Sequence, residues 1–317
     1  MLADQLCSQG AELIKAMGTV ISGQERVLEE LLVAVIAQGH VLLEGPPGVG
    51  KTTIVNTLAA LSSCDFKRVQ FTPDLMPSDI IGNNIFNFQT SSFTLKKGPV
   101  FTNFFLADEI NRTPPKTQAA LLEAMEERQV TIDGEAYFLD KPFIVFATQN
   151  PLEHEGTYPL PEAQVDRFIM KVLVSYPERS EEKDMLLRFH SGNCAGGAIK
   201  ALQPIMGKDT WLDFQRKVQA VVVEDSILDY LLDIIKATRQ DHNLVVGGSP
   251  RASLALLKCA KAFAALHGRT FVTPDEIKRM CFPVLRHRIM LKPEAEIEGL
   301  TPEQVISFIL EGIEVPR

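Results

Sequence analysis

The stretch Gly45-Pro-Pro-Gly-Val-Gly-Lys51-Thr52 decides the fold, because it places the pattern G-x-x-x-x-G-K-[ST] between a predicted strand and a predicted helix. The apolar run 41–43 before it predicts a buried strand, and residues 51–61 after it have helical character. Glycines let backbone N–H groups approach phosphate oxygens, and a helix N-terminus adds partial positive charge. The alternative is a glycine turn that binds nothing, and the strand–loop–helix context disfavours it.

This loop predicts a site for a nucleoside triphosphate. Lys51 is expected to contact the β- and γ-phosphates, and the Thr52 hydroxyl is expected to ligate Mg²⁺. The predicted nucleotide-binding residues of the loop are Gly45, Pro46, Pro47, Gly48, Val49, Gly50, Lys51, Thr52 and Thr53.

A second apolar run, Phe104-Phe105-Leu106-Ala107, ends in the acids Asp108 and Glu109. In open α/β folds, ligands bind at the carboxyl ends of the strands, where these carboxylates would lie. Asp108 is expected to belong to the Mg²⁺ shell, and Glu109 to orient and polarise the attacking water. Solvated acids at a strand end are the alternative.

Polar residues farther along the chain complete a predicted hydrolytic site. Asn150 ends the run Phe146-Ala-Thr-Gln-Asn150 and could hydrogen-bond the γ-phosphate or the water; an ordinary loop asparagine is the alternative. Guanidinium groups stabilise the charge of phosphoryl transfer, often from a neighbouring subunit. Arg167 follows Asp166, an acid that could orient it, and Arg251 could reach the phosphate across a domain cleft. Arg112 is a weaker candidate, and surface salt bridges are the alternative for each arginine.

Short apolar strands alternate with helical segments in the first part of the chain, which predicts a parallel sheet covered by helices on both faces. Two β-hairpins near 85–95 and 129–141 interrupt this rhythm. Capping patterns at Ser249, Thr273 and Thr301 mark helices of the last third. The predicted division is an α/β nucleotide-binding domain at 1–178, a linker at 179–201 and a smaller, all-helical lid domain at 202–317.

Composition restricts the class of protein. Hydrophobic residues make up 45% of the 317 residues, which is enough for a core and excludes a fully disordered chain. The net charge of −8 gives no reason to expect nonspecific binding to nucleic acid. No apolar run predicts a membrane span and the N-terminus lacks a secretory signal. Five scattered cysteines favour a cytoplasmic protein without disulfides, and the six histidines lack metal-ligand spacing.

The order of these motifs resembles the AAA+ ATPases, and specifically the MoxR family, over roughly residues 20–290. The resemblance includes GQE at 23–25, GPPGVGKT at 45–52 and a long block at 98–135 that contains the two acids. The remaining blocks are FTPDLMPSDIIG at 71–82, ATQNP at 147–151, YPLPEAQVDRF at 158–168 and GSPRASLAL at 248–256.

The resemblance implies roles for the candidate residues. Lys51 and Thr52 would be Walker A residues, and Asp108 and Glu109 Walker B residues. Asn150 would be sensor 1, Arg167 an arginine finger acting in trans, and Arg251 sensor 2. Val20, Ile21 and Gln24 would lie near the adenine of ATP or ADP. The hairpin near 85–95 would be the helix-2 insert, and the hairpin near 129–141 the pre-sensor hairpin.

The resemblance also implies partners. Such proteins usually form hexameric rings and act as chaperone-like remodellers that mature client protein complexes or insert metal cofactors. They often work with von Willebrand factor A domain proteins. Two other functions remain open from the sequence. One is a nucleotide-dependent binding switch with little turnover, which would not need Glu109, Asn150 and Arg167. The other is a DNA-acting motor or loader, which the net charge disfavours.

Overall fold

The computed structural model describes residues 2–89, 91–150, 156–191 and 195–316. Thr90, Pro151, His154 and Cys194, on which parts of the sequence predictions fall, lie outside the described residues.

The described strands, in chain order, are β1 (Val41–Glu44), β2 (Phe66–Gln70), β3 (Gly82–Asn87), β4 (Ser92–Lys97), β5 (Phe104–Asp108), β6 (Gln129–Ile132), β7 (Glu135–Phe138), β8 (Ile144–Gln149), β9 (Met170–Leu173), β10 (Leu244–Val246) and β11 (Met290–Leu291). The first five helices are α1 (Leu2–Gly18), α2 (Glu25–Ile36), α3 (Lys51–Leu61), α4 (Pro77–Ile81) and α5 (Pro115–Glu127). The others are α6 (Glu162–Val165), α7 (Arg179–His190), α8 (Ala195–Ala201), α9 (Lys208–Lys217), α10 (Asp225–Gln240), α11 (Pro250–Leu266), α12 (Pro274–Leu285), α13 (Pro293–Ile297) and α14 (Pro302–Gly312).

The centre of the molecule is a parallel sheet of five strands in the order β2-β5-β8-β1-β9. Successive side chains of a strand point to opposite faces. Phe104 and Leu106 accordingly enter the core on one face, with α2 and α3. Phe105 and Ala107 enter the core on the other face, with α5. Both faces are therefore buried, which explains the continuous apolar runs and confirms the predicted covered sheet.

Because all five strands are parallel, the sheet has two distinct edges. We call the edge where the strands end the carboxyl edge, and the edge where they begin the amino edge. Val41 at the start of β1 pairs with Met170 at the start of β9, and Glu44 pairs with Leu173 at their ends. Helix α5 leaves the carboxyl edge after β5 and returns to the amino edge, where Arg128 donates to the carbonyl of Gln38 before β1.

Two antiparallel hairpins project from this core, as the sequence predicts. Strands β3 and β4 pair from Gly82↔Lys97 to Asn87↔Ser92, and β6 and β7 pair around Asp133-Gly134. The hairpins touch each other, because the Asn84 side-chain amide donates to an Asp133 carboxylate oxygen at 2.7 Å.

The last third of the chain is largely helical, and its predicted caps are confirmed. Ser249 Oγ accepts the Ala252 N–H at 3.3 Å at the start of α11. Thr273 and Thr301 form capping boxes at α12 and α14. The sequence prediction missed the short antiparallel ribbon β10–β11 within this part, and it also missed β9.

The helices after residue 208 do not form an isolated core. Their buried side chains belong to one apolar cluster with α1, α2 and α3. Helix α1 packs so closely on α11 that a Cβ on Gly10 would lie 2.3 Å from Leu266 Cδ1. The division at 178 and 202 therefore stays a prediction. No helix among the described residues is both long and apolar enough to span a lipid bilayer.

His40, immediately before β1, is a buried core histidine with both ring nitrogens in hydrogen bonds. Nδ1 accepts the Val145 N–H at 2.9 Å, so Nε2 must carry the proton that it donates to the Met125 carbonyl at 3.0 Å. Burial lowers the pKa of His40 to about 4. The imidazole therefore ties β1, β8 and the end of α5 together in its neutral form.

This arrangement predicts a pH-dependent stability. In the unfolded chain the pKa of His40 is about 6.5, which is higher than its pKa in the folded protein. The contribution of His40 to the free energy of unfolding is therefore complete above about pH 6.5 and is lost as the pH falls toward 4. We expect a loss of about 3 kcal/mol over that range from this group. Chemical unfolding at several pH values measures it.

His40→Gln should flatten the slope of unfolding free energy between pH 7 and pH 5, whatever its effect at pH 7. His242→Gln, at an exposed position, is the matched control and should keep the wild-type slope. An unchanged slope in His40→Gln would contradict the assignment.

Candidate nucleotide-binding site

The glycine-rich loop at 45–50 connects β1 to α3 at the carboxyl edge. Gly48 and Gly50 have φ angles of +82° and +87°, in the left-handed region that favours glycine. A Cβ added to Gly48 would meet nothing within 4 Å, so backbone conformation rather than crowding requires glycine there. The loop therefore leaves open space above the N-terminus of α3, which suits an anionic phosphate group.

Lys51 and Thr52 lie in the first turn of α3. The Lys51 ammonium donates to the Gly45 carbonyl at 2.5 Å and to the Pro46 carbonyl at 3.1 Å, so it lies over the loop. The Thr52 hydroxyl donates to Asp108 Oδ2 at 3.1 Å. The Lys51 ammonium, the Thr52 hydroxyl and the Asp108 carboxylate thus lie at the same edge of the sheet, as predicted.

Asp108, at the end of β5, is buried and has three partners. Oδ1 accepts from the Thr148 hydroxyl at 2.6 Å. Oδ2 accepts from Thr52 and also from Arg68, whose Nε and Nη2 lie at 3.0 and 2.7 Å. Hydroxyl and carboxylate oxygens are ligands that Mg²⁺ prefers, so Thr52 and Asp108 fit that ion. In this structure a guanidinium supplies positive charge at the same oxygen.

Glu109 is held in an unusual backbone conformation, with φ 57° and ψ 53°. Such a conformation costs free energy in a residue other than glycine and is often found at functional sites. The Glu109 N–H donates to Thr148 Oγ1 at 2.8 Å. The Glu109 carboxylate accepts from Gln70 at 2.7 Å and from Arg112 at 3.0 Å.

Three members of this network were not among the predicted site residues: Arg68, Gln70 and Thr148. Parallel pairing explains their place, since Gln70 pairs with Asp108 across β2 and β5, and β8 with Thr148 flanks β5 on the other side. The sequence held one usable signal, namely polar residues at the ends of the neighbouring strands. Arg112, the weaker of the predicted arginine candidates, donates to the Glu109 carboxylate.

Further candidate residues lie after β8 and between α1 and α2. Asn150 follows β8, between β5 and β1 in the sheet, and is 5% exposed. Gln24 is buried, and its side-chain amide donates to the Ser175 carbonyl just beyond β9 at 3.1 Å. The backbone N–H groups of Val20 and Ile21 cap the end of α1 through the Met17 carbonyl. A cavity of about 510 Å³ opens between Gln24, the end of β9 and helices α12 and α14.

Arg167 and Arg251 lie at the amino edge instead. Arg167 precedes β9, whose first residue pairs with the first residue of β1, whereas the glycine-rich loop follows the end of β1. Arg167 Nε contacts Glu126 at 3.0 Å, and Arg251 Nη2 contacts the other oxygen of the same carboxylate at 2.5 Å. Both arginines line a cavity of about 300 Å³ together with residues 37–40.

This placement corrects two expectations. Strands of this length separate the edges by roughly 13 Å, so Arg251 does not reach phosphates on the loop of its own chain across a domain cleft. Asp166 does not orient Arg167 directly either. Its carboxylate accepts from Arg288 at 2.6 Å and from Ser249 at 3.3 Å.

Comparison with protein families agrees with the geometry. Residues 40–170 match the ATPase family associated with various cellular activities (AAA), and residues 236–309 match the AAA lid domain. The first match contains the loop, both acids and Arg167, and the second contains Arg251 and Arg288.

Individual relatives extend over nearly the whole chain. An uncharacterized protein YeaC from Bacillus subtilis is 48% identical over 96% of this chain and 93% of its own length. Chaperone MoxR1 from Mycobacterium tuberculosis is 41% identical over 94% of this chain and 80% of its own length. The crystal structure of a proposed ATPase from Cytophaga hutchinsonii covers 99% of this chain and 97% of its own, with 42% identity and a TM-score of 0.90.

The contact between Arg68 and Asp108 generates a prediction about Mg²⁺. Arg68→Met removes the cation that offsets the Asp108 charge in the absence of metal, so we expect a lower melting temperature for the protein alone. The Mg²⁺–ADP form should change less, because the metal would then neutralise Asp108. The increase in melting temperature on adding Mg²⁺–ADP should therefore be about 2 °C larger than in the wild type.

Differential scanning fluorimetry with and without Mg²⁺–ADP measures this difference. Lys67→Met is the control, since its side chain points to the opposite face of the same strand. If the increase in the melting temperature of Arg68→Met is equal to or smaller than that of the wild type, Arg68 does not neutralise Asp108 in the way that the metal would.

Proposed function

Because this chain belongs to the MoxR family of AAA+ ATPases and hydrolyses ATP, we propose that hydrolysis takes place in a site shared by two copies of the chain. One copy supplies the glycine-rich loop and the acids at its carboxyl edge. The second copy supplies Arg167 and Arg251 from its amino edge. The observation that carries this proposal is the separation of these groups within one chain, with both arginines on Glu126 at the edge opposite the loop.

The first copy would hold the nucleotide. Backbone N–H groups of residues 45–50 and the Lys51 ammonium would bind the phosphates, and Lys51 would exchange its two carbonyl contacts for phosphate oxygens. Thr52 and Asp108 would hold Mg²⁺, which neutralises phosphate charge when it is bound. Val20, Ile21 and Gln24 would lie near the base, beside the cavity between α2 and the lid helices.

Glu109 and Asn150 would act on the attacking water. Glu109 would accept a proton from the attacking water as a general base, once its carboxylate leaves Gln70 and Arg112. Asn150, fixed at the end of β8, would orient the γ-phosphate or this water. The hydrogen bond from the Glu109 N–H to Thr148 keeps the backbone in place while the side chain changes partner.

The second copy would stabilise the charge that develops on the γ-phosphate. Arg167 and Arg251 would leave Glu126 and donate to phosphate oxygens of the neighbouring copy. A contact between the amino edge of one copy and the carboxyl edge of the next is head to tail, and such contacts close into rings when the rotation allows. The family resemblance gives six as the expected number of copies.

We further propose that hydrolysis drives chaperone-like remodelling of client proteins. The relative named Chaperone MoxR1 supports this role. The hairpin β3–β4 also exposes Phe88 and Phe93, which are 86% and 70% accessible, and the centroid of each ring lies 5.2 Å from that of Phe86. Exposed aromatic groups of this kind suit contact with apolar segments of a client. Metal-cofactor insertion and a von Willebrand factor A domain partner stay predictions from the family resemblance. A cytoplasmic location stays a prediction from the scattered cysteines.

The proposed role of Glu109 predicts that Glu109→Gln binds Mg²⁺–ATP normally and loses at least about 100-fold in turnover, since the amide cannot accept the proton. Calorimetry and a phosphate-release assay measure the two properties. Glu123→Gln, an exposed change on α5, is the control. Hydrolysis near the wild-type rate would reject the role of Glu109.

Glu109→Gln also tests remodelling, because a copy that stays in the ATP state should keep its client. We expect clients to remain on this variant with ATP and to leave it with ADP. Equal retention in both states would count against ATP-driven remodelling.

A shared site predicts complementation between two inactive variants. Arg167→Ala alone should lose about 1,000-fold in hydrolysis. When it is mixed in equal amounts with Glu109→Gln, activity should return at contacts where the Arg167→Ala copy supplies the loop and Glu109 and the Glu109→Gln copy supplies Arg167. Such contacts make up about one quarter of all contacts in random assemblies. The measurement is phosphate release from re-assembled mixtures. Mixtures as inactive as their components would exclude donation between copies.

A further inference from the structure

Arg288 lies three residues beyond α12, and its side chain is only 2% exposed. Every N–H donor of its guanidinium is in a hydrogen bond. Nε donates to Asp166 Oδ1 at 2.6 Å. Nη1 donates to the carbonyls of Ile169 and Val284 at 2.9 and 2.6 Å. Nη2 donates to the carbonyls of Asp166 and Phe168 at 3.1 and 2.5 Å. Five N–H donors thus meet five acceptor contacts.

Four of these five contacts go to one short segment, residues 166–169, which contains Arg167. The segment lies between α6 and β9, so its regular backbone pairing starts only at Met170. Arg288 donates to three backbone carbonyls of this segment, those of Asp166, Phe168 and Ile169. It therefore fixes the backbone on both sides of Arg167.

The same contacts extend to Arg251. Asp166 Oδ2 accepts from the Ser249 hydroxyl at 3.3 Å, and Ser249 is the N-cap of α11, whose second residue is Arg251. The guanidinium of Arg288 and the carboxylate of Asp166 therefore connect the segment before β9 to the start of a lid helix. Arg167 and Arg251 accordingly approach the same Glu126 carboxylate from two elements.

Stability of the fold is a poor explanation for such a group. Burial lowers the pKa of Arg288, while the hydrogen bond and charge of Asp166 oppose that shift, so removing the cation from water has a cost. Apolar residues of similar volume often replace buried ion pairs without loss of stability. A planar fork with five directed donors instead provides geometry, which lysine cannot reproduce.

We propose that Arg288 is a positioning residue for catalysis: through Asp166 and the carbonyls of 166–169, it holds Arg167 and Arg251 in the arrangement that a neighbouring copy requires. The inference rests on the shared site proposed above. Arg288 would act only on the donating side of a contact between copies. The loop, Thr52 and the acids of the same chain would be unaffected, because they lie at the opposite edge of the sheet.

This one-sided role can be tested with Arg288→Lys, which keeps the charge and loses the fork. Alone, the variant should lose about 100-fold in hydrolysis, the scale expected for a displaced catalytic group. Its affinity for a fluorescent ATP analogue should stay within about twofold of the wild type, because its own loop is intact. Mixed with Glu109→Gln, it should regain activity as Arg167→Ala does.

Arg269→Lys is the matched control, since Arg269 pairs with the buried Glu276 at the other end of α12, and it should remain active both alone and in mixtures. Asp166→Asn is a second variant, because Asp166 is partly exposed and asparagine keeps an acceptor oxygen. It should show the same one-sided defect in smaller measure, and it tests the role if Arg288→Lys does not fold.

The mixtures separate two kinds of failure. If Arg167→Ala is rescued by Glu109→Gln while folded Arg288→Lys or Asp166→Asn is not, Arg288 does not act by positioning the arginines. Full activity of Arg288→Lys alone would overturn the inference as well. If Arg167→Ala itself is not rescued, the shared site is wrong and the role of Arg288 falls with it.

Discussion

The parallel pairing of β1 with both β8 and β9 is the constraint on which the arrangement of this site depends. It brings the ends of these strands to one edge, together with the glycine-rich loop, the acids and Asn150. It brings their beginnings to the other edge, together with Arg167. The side chains of β1 and β8 are almost all buried, and Met170 and Val172 of β9 are buried as well, so a change of register would disrupt the packing of the core. The separation between the glycine-rich loop and Arg167 is thus set by the sheet itself.

At the carboxyl edge, charge is balanced before any ligand is bound. Arg68 and Arg112 lie on the two acids, Lys51 lies on loop carbonyls, and Thr148 bonds both Asp108 and the Glu109 backbone. A nucleotide with Mg²⁺ would introduce anions and a cation into the same small volume. Binding therefore exchanges one set of ion pairs for another, which allows the site to respond to nucleotide with side-chain movements around a fixed backbone.

Charges are also paired at the amino edge, but there a single carboxylate lies between two arginines. The Glu126 carboxylate pairs with Arg167 and Arg251, and Arg288 donates to the backbone carbonyls on both sides of Arg167. Arg251 lies in α11 and Arg288 follows α12, both within the lid match, whereas Arg167 lies before β9. A movement of the lid would therefore change the positions of Arg167 and Arg251 relative to each other. Within the proposed assembly, the nucleotide state of one copy could thereby influence hydrolysis in the next.

The sequence by itself determined what is local: the strand–loop–helix around Lys51, the two acids where β5 ends, the two hairpins and the helix caps at Ser249, Thr273 and Thr301. In each case, the conformation and the chemistry lie within a few consecutive residues. Only the tertiary structure decided that Arg68, Gln70 and Thr148 surround the acids, that Arg251 lies at the opposite edge from its own loop, and that Asp166 pairs with Arg288. Those facts depend on strand order and on how the lid packs, which buried contacts between distant segments establish and no short pattern contains.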